Sequence, residues 1–323
     1  MTTTSEDSRP MGIDTGSPAK TQVTSTAPAS QGPIVPVNRT AHSPGATMEI
    51  VRQPTYGQGI VVSLVVAAAL LVLAILAIRD EASTGLPLTE TTGPLYWILA
   101  VLVAIGAAIG AEFSEVTAAR AAESLGQPRK ASTLPTAWAV PLVATIAAIL
   151  LVATLHNTVM LVAGPAIAFF GVAGALLSRD LLDDATEAST RTAATIHTFV
   201  IHVVAFLALS GVYLNKMTSW VSAPLVGIFA GILILETLER GHATRVQRIF
   251  YAILGGAVMA EATIAVNWWP TYGWTGGAVL LVCFYVIAGV LLARTQRSAL
   301  RTRDLVEFGA VGGAALLILA LTA

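Results

Sequence analysis

Charge is scarce in this sequence. Of its 323 residues only 11% are Asp, Glu, Lys or Arg, against about 25% in a soluble domain. A chain so poor in charge, 55% hydrophobic and with a mean hydropathy of +0.74, cannot cover a globular surface with polar groups. Lipid must be its solvent. Cysteine is scarcer still. The one cysteine, Cys283, lies in an apolar run, which excludes a disulfide framework and a Cys/His metal cluster. It reads as a small hydrophobe. A basic excess is also missing: the net charge is −1, which argues against nucleic acid as a partner. No basic start followed by an apolar core is found at the N-terminus, so a signal peptide is not expected there.

What the sequence does have is long apolar runs behind a polar lead. Residues 1–57 are rich in Thr, Ser, Pro and Gly, with almost no apolar clustering. Such a segment buries too little surface to offset its ordering entropy, and a disordered cytoplasmic tail is expected. Residues 58–323 read as a transmembrane helical domain. Crossing ~30 Å of hydrocarbon takes about 20 helical residues. Nine stretches qualify, roughly 59–78, 94–112, 136–155, 158–178, 193–214, 220–238, 248–267, 275–293 and 306–323. The fold class is therefore all-α: a polytopic transmembrane helix bundle of about nine spans. Pro141 and Pro165 mark expected bends, and Gly255-Gly256 an expected loosening of the seventh span. Gly106 and Gly110 form a GxxxG that supports close helix packing.

The basic residues set the orientation. With the N-terminus inside, all but two of the 18 basic residues, Arg79 and Lys216, fall on inner segments. The positive-inside rule then predicts N-in and C-out, in a bacterial plasma membrane. Trp97, Trp220, Trp268, Trp269 and Trp274 all fall at outer span ends, as interfacial rings should.

Against this background, polar groups inside spans stand out, because their burial is costly and usually functional. Glu261 is predicted to lie about 20 Å from the inner edge of the seventh span. Its position suits proton or cation handling, or a plain interhelical hydrogen bond. His202, in the fifth span, lies at a similar depth, and an approach of His202 to Glu261 in the bundle core is expected. His197 is five residues earlier, about 140° round the helix, so the two histidines do not converge on one metal. Asn267 follows Glu261 near the outer turn. Four further carboxylates, Glu112, Glu115, Glu236 and Glu239, are expected at cytoplasmic helix ends after spans two and six, with Arg240 pairing to Glu236 at i,i+4. Asp180, Asp183, Asp184 and Glu187 can share one helical face and are candidates for a divalent cation through oxygen ligands. The plainer alternative is a solvated face.

Two resemblances bear on function. Paired acids after spans two and six are similar to those of the intramembrane prenyltransferases, which also have nine spans and hold Mg-pyrophosphate on Asp-rich motifs. Here the residues are Glu, and neither the asparagine nor the repeated aspartates of those motifs appear. From Glu236 to Glu307 the order "ETLER…RVQRIFYAILGGAVMAEATIAVNWWP…GGAVLLVCFYVIAGVLL…EFG" resembles a family of uncharacterised bacterial multi-pass membrane proteins. That resemblance covers the last four spans and implies no activity.

Three function classes follow. The first is a non-enzymatic structural or assembly component of a membrane complex. The second is a small-solute or proton-coupled carrier using Glu261 and His202. The third is an intramembrane enzyme using the cytoplasmic carboxylates. No motif calls for a cofactor. The expected partners are the lipid bilayer and other membrane proteins or further copies of the chain, with no nucleic acid.

Overall fold

In lipid a backbone must satisfy its own N–H and C=O groups, so each apolar stretch can only become a helix. The computed structural model describes residues 56–79, 93–124, 126, 134–183, 189–215, 217–269, 273–297 and 302–322. Almost all of the expected N-terminal tail therefore lies outside the described residues. The helices are α1 (Tyr56–Arg79), α2 (Pro94–Ser124), α3 (Ala139–Leu155), α4 (Met160–Asp183), α5 (Thr190–Leu214), α6 (Ser219–Thr237), α7 (Arg245–Trp268), α8 (Trp274–Gln296) and α9 (Thr302–Thr322), with a 3-10 turn over Leu238–Arg240. Eight of the helices are long and apolar enough to cross a membrane. The exception is α3, with 17 residues, about 25 Å long. The chain is an all-helical apolar bundle of about nine helices, a membrane protein.

Two boundaries differ from the sequence expectation, and both matter below. Helix α2 does not stop at residue 112 but runs on to Ser124. Its polar continuation "EFSEVTAARAAES" is made of good helix formers and has no breaker. Helix α3 starts at Ala139, three residues late. Thr136, Ala137 and Trp138 instead form a turn, closed by Ala139 N–H to Thr136 O at 2.9 Å and by Trp138 Nε1–H to Pro135 O at 3.0 Å. Pro141 falls in the first turn of α3, where its missing N–H has no helical partner to lose. Pro165 lies within α4 without ending it.

Consecutive helices alternate in direction. The turn between α3 and α4 is tight, as expected. His156 takes a left-handed conformation with φ 38°, and Asn157 Oδ1 accepts the Met160 N–H at 3.2 Å. One end of the bundle, called the basic end here, gathers the end of α4, the starts of α5 and α7, and the end of α8. The opposite end is joined by neutral hydrogen bonds. Tyr96 Oη donates to Ile149 O at 2.8 Å, and Asn215 Nδ2 donates to Thr154 Oγ1 at 2.7 Å. Trp220, Trp268, Trp269 and Trp274 are exposed at that opposite end.

Helix α3 is apolar on every side, and a helix of that kind must be interior. One face, with Val143, Ala147 and Leu150, packs into a cluster with α5, α6, α7 and α8. The other, with Ala148, Ile149 and Val152, packs into a second cluster with α1, α2 and α4. The shortest helix is thus the hub joining two halves. Helix α9 is its opposite: only 6% of its apolar window is buried, and it packs chiefly on α8.

Small residues set how closely the helices approach. The pair Gly255-Gly256 does not loosen α7. It is the point of closest approach to α6, where a Cβ on Gly256 would meet Gly227 O at 2.5 Å. Gly276 and Gly277 likewise let α8 lie against Tyr213 and Ser210 of α5. Gly110 meets Val62 of α1, whereas nothing lies within 4 Å of a Cβ on Gly106. We expect Gly256→Val to force α6 and α7 apart and destabilise the bundle by about 3 kcal/mol. Gly106→Ala should be neutral or stabilising by up to about 1 kcal/mol. Thermal unfolding of the two variants in detergent checks both.

Candidate functional site

The extra length of α2 and the late start of α3 deliver polar groups to one place. Arg179 ends the apolar part of α4 and is 9% exposed. A buried guanidinium needs paired anions and hydrogen bonds to offset its lost hydration. It has both. Arg179 NH1 lies 2.8 Å from Glu236 Oε1 of α6 and 3.1 Å from Glu239 Oε2 of the 3-10 turn. Its Nε lies 3.6 Å from Glu115 Oε2 of α2. Thr136, in the turn before α3, accepts from Arg179 NH1 at 3.3 Å and donates to Glu239 Oε2 at 2.7 Å.

Two further basic side chains border this centre. Arg248 of α7 is 1% exposed, donates from NH2 to Leu235 O at 3.3 Å, and lies 4.0 Å from Glu239 Oε2. His197 of α5 is 3% exposed, with Nε2 3.5 Å from Glu236 Oε1 and Nδ1 2.8 Å from Ser178 Oγ. Ser178 also donates to Ala175 O at 3.1 Å. When its single proton goes there, His197 Nδ1–H donates to Ser178 and Nε2 faces the carboxylate. A second proton on Nε2 would make the ring a cation paired with Glu236. Glu236 Oε2 is buried with no hydrogen-bond partner among the described residues.

Ser178, His197 and Glu236 are ordered as a nucleophile, base and acid would be. Ser178, however, is 1% exposed and wedged between helices, so its oxygen is closed to a substrate. Carboxylates of spans two and six, Glu115, Glu236 and Glu239, converge on Arg179. A guanidinium holds the centre where a shared Mg²⁺ would sit. Among the described residues no group of three or more His, Cys, Asp or Glu is placed to hold a metal ion.

The expected residues fall as follows. Glu112 and Glu115 are not at a helix end; both lie well inside α2, because that helix continues to Ser124. Glu115 joins Arg179, while Glu112 Oε2 is buried without a partner among the described residues. Glu236 and Glu239 join Arg179; the side chain of Arg240, the expected i,i+4 partner of Glu236, lies outside the described ones. His197 belongs to the cluster.

His202 and Glu261 are not brought together. His202 packs edge-on against Phe284 and Tyr285 of α8, with centroids at 5.5 and 5.9 Å, and its Nδ1–H donates to Thr198 O at 2.7 Å. Glu261 is exposed on the outer side of α7. Asn267 clamps α7 to α6, donating to Ser219 Oγ at 3.1 Å and Ser222 Oγ at 3.0 Å. Asp180 is buried and Asp183 is the last residue of α4, while Asp184 and Glu187 lie outside the described residues.

Sequence reasoning missed Arg179, Ser178, Thr136 and Arg248 as members of the site. By the positive-inside rule Arg179 and Arg248 enter only among the basic residues of inner segments. The available signal was a surplus of carboxylates at one depth on α2 and α6, which demands a buried cation on a neighbouring helix.

The chain belongs to a family of proteins of unknown function, DUF5656, whose sequence profile matches residues 78–322. The match takes in α2 to α9. The likeness therefore extends well beyond the last four spans and covers every residue of the Arg179 cluster. No curated protein and no solved structure matches the chain.

Removing the central cation leaves its carboxylates buried against each other. Arg179→Met should destabilise the bundle by about 3–5 kcal/mol. Arg179→Lys should recover only part of this, since an ammonium lacks the guanidinium's planar fork of donors. Glu115→Gln, on the longest contact, should have the smallest effect of the three. Thermal unfolding of the three variants, compared at one pH and salt concentration, checks the order.

Proposed function

We propose that this membrane protein is a non-enzymatic assembly component of a membrane complex, inserted N-in and C-out in a bacterial plasma membrane. The observation that carries this reading is the placement of Glu261. It is exposed on α7 between Val258 and Ile264, which are 41% and 43% exposed. A carboxyl group turned toward lipid is costly, and a partner that hydrogen-bonds it in the membrane plane removes the cost. The partner we infer is a helix of another membrane protein offering a donor or cation at the depth of Glu261.

The rest of the outer surface fits the same use. Helix α9 leaves Gly309 and Gly313 with nothing within 4 Å of an added Cβ, so a further helix has room to approach. The buried polar groups of the Arg179 cluster bind this chain's own helices to one another. The proton-coupled carrier is the second reading. What favours it lies at residues other than the expected Glu261 and His202: the His197–Glu236 contact at 3.5 Å, and Glu236 Oε2, which has no hydrogen-bond partner among the described residues.

The test is native gel migration after extraction in a mild detergent. Wild type should run in a complex larger than the monomer. Glu261→Leu should run as a monomer, with thermal stability within about 0.5 kcal/mol of wild type, as for a surface site. Glu261→Gln, which keeps a hydrogen-bonding group, should retain part of the complex. An intact complex in the Leu variant would overturn the assembly reading, and a wild-type complex holding only copies of this chain would replace the foreign partner with self-association.

A further inference from the structure

Where α6 and α7 touch, the outer surface of the bundle sinks. Glycines bring the two backbones together: a Cβ on Gly227 would meet Gly256 O at 2.8 Å, and one on Gly231 would meet Ala252 O at 3.1 Å. These glycines carry no side chain to cover the seam. Isoleucines rise on both sides of it, Ile228 from α6 and Ile253 from α7. The result is a cleft of about 470 Å³ whose lining residues are all apolar. It opens outward, with Ile228 57% and Ile253 67% exposed. Along α7 it runs from Ile249 to Ala260, ~17 Å of helix. That length takes in three turns, enough for side chains from positions i, i+4 and i+7 of one further helix.

The flank of the cleft is not apolar. Glu261 lies one turn beyond Ala257, which lines the cleft, and both are exposed. At 3.6 residues per turn the two side chains stand about 40° apart round α7. A helix seated in the cleft therefore passes within reach of the Glu261 carboxyl group. Ala265, one turn beyond Glu261, is exposed as well but does not line the cleft.

These features fix the chemistry of an occupant. A chain segment lying here in lipid must satisfy its own backbone, so it is a helix. Opposite Glu261 it needs a charge-assisted donor, the strongest partner a carboxylate can have. Another copy of this chain does not supply one. The Lys and Arg residues of the described helices all lie in or next to terminal turns, away from the depth of Glu261. A second copy joined through the same face would set Glu261 against itself.

We propose that the α6–α7 cleft seats one transmembrane helix of a different protein, with large apolar side chains in the cleft and an arginine or lysine against Glu261. This seat presupposes the assembly reading and adds to it the partner's position and its charge.

The test follows the full chain as its extracted complex on native gels, with thermal unfolding of each variant. Ala257→Trp fills the cleft from an exposed position. It should lower the recovered complex about tenfold, the loss of an interhelical contact of ordinary strength. Ile253→Trp, further along the cleft, should do the same and serves if the first variant fails to fold. Ala265→Trp, equally near Glu261 but outside the cleft, should leave the complex at the wild-type level. Glu261→Lys sets like charges together and should abolish a complex that Glu261→Gln partly keeps. A complex intact in both tryptophan variants of the cleft, yet lost in Glu261→Leu, overturns the seat and leaves the assembly reading standing. If phospholipid recovered with those tryptophan variants falls instead, the cleft holds an acyl chain, which also overturns the seat. A complex intact in the cleft variants and in Glu261→Leu overturns both readings. Glu261→Lys retained as well as Glu261→Gln overturns the basic side chain of the partner, and a wild-type complex made only of this chain overturns the foreign helix.

Discussion

Burying one guanidinium organises the basic end of this bundle. Arg179 cannot lie between helices without anions, and no single neighbour supplies enough of them. Glu115 comes from α2, Glu236 from α6, Glu239 from the turn after α6, and Thr136 from the approach to α3. Each partner is therefore tied to the others through a cation that would be strongly destabilised alone. Several local features make sense only in this light. Helix α2 carries carboxylates well before its end, α6 tightens into a 3-10 turn that turns Glu239 inward, and α3 begins late enough to leave Thr136 free to bridge Arg179 and Glu239.

A membrane bundle needs such a device more than a soluble one does. Apolar side chains are as content against lipid as against each other, so apolarity alone does not choose which helices are neighbours. Choice comes from close packing and from polar groups. Here the two are divided by position. The basic end is joined by ion pairs. The opposite end is joined by the neutral hydrogen bonds of Tyr96, Asn215 and Asn267. Between them, glycines let backbones touch, most closely where α6 meets α7. Helix α3 stands in the middle with an apolar surface on all sides, and the two core clusters are continuous through it.

The same logic separates interior polar groups from outward ones. Arg179, Arg248, His197 and Glu236 are enclosed by the chain's own helices and hold them together. Glu261 and the open glycines Gly309 and Gly313 of α9 face outward, where another molecule can complete their surroundings. The assembly reading rests on this outward set. The interior set explains why the bundle can present those groups on a fixed frame.

Composition and periodicity were enough to determine the environment, the helical class and the approximate number of helices. The reason is that the membrane imposes these on any single segment: 20 or so apolar residues have one available conformation in lipid. They also singled out His197, Glu115, Glu236 and Glu239 as polar groups needing an explanation. What they did not contain was partnership. Glu236 and Arg179 are far apart in sequence, and a helix's periodicity says which residues share its face without saying what that face meets. Thus the expected meeting of His202 with Glu261, based on equal depth, gave way to His202 against α8 and Glu261 facing out, because depth fixes one coordinate and rotation about the helix axis another. Helix ends differ too: Glu112 and Glu115 look like the polar close of a span, yet α2 continues through helix formers with no breaker, and Glu115 meets the buried Arg179 of α4 inside the bundle. The segments were set locally by the solvent they face; their pairing was decided only by where a charge that cannot be left alone finds its counter-charges.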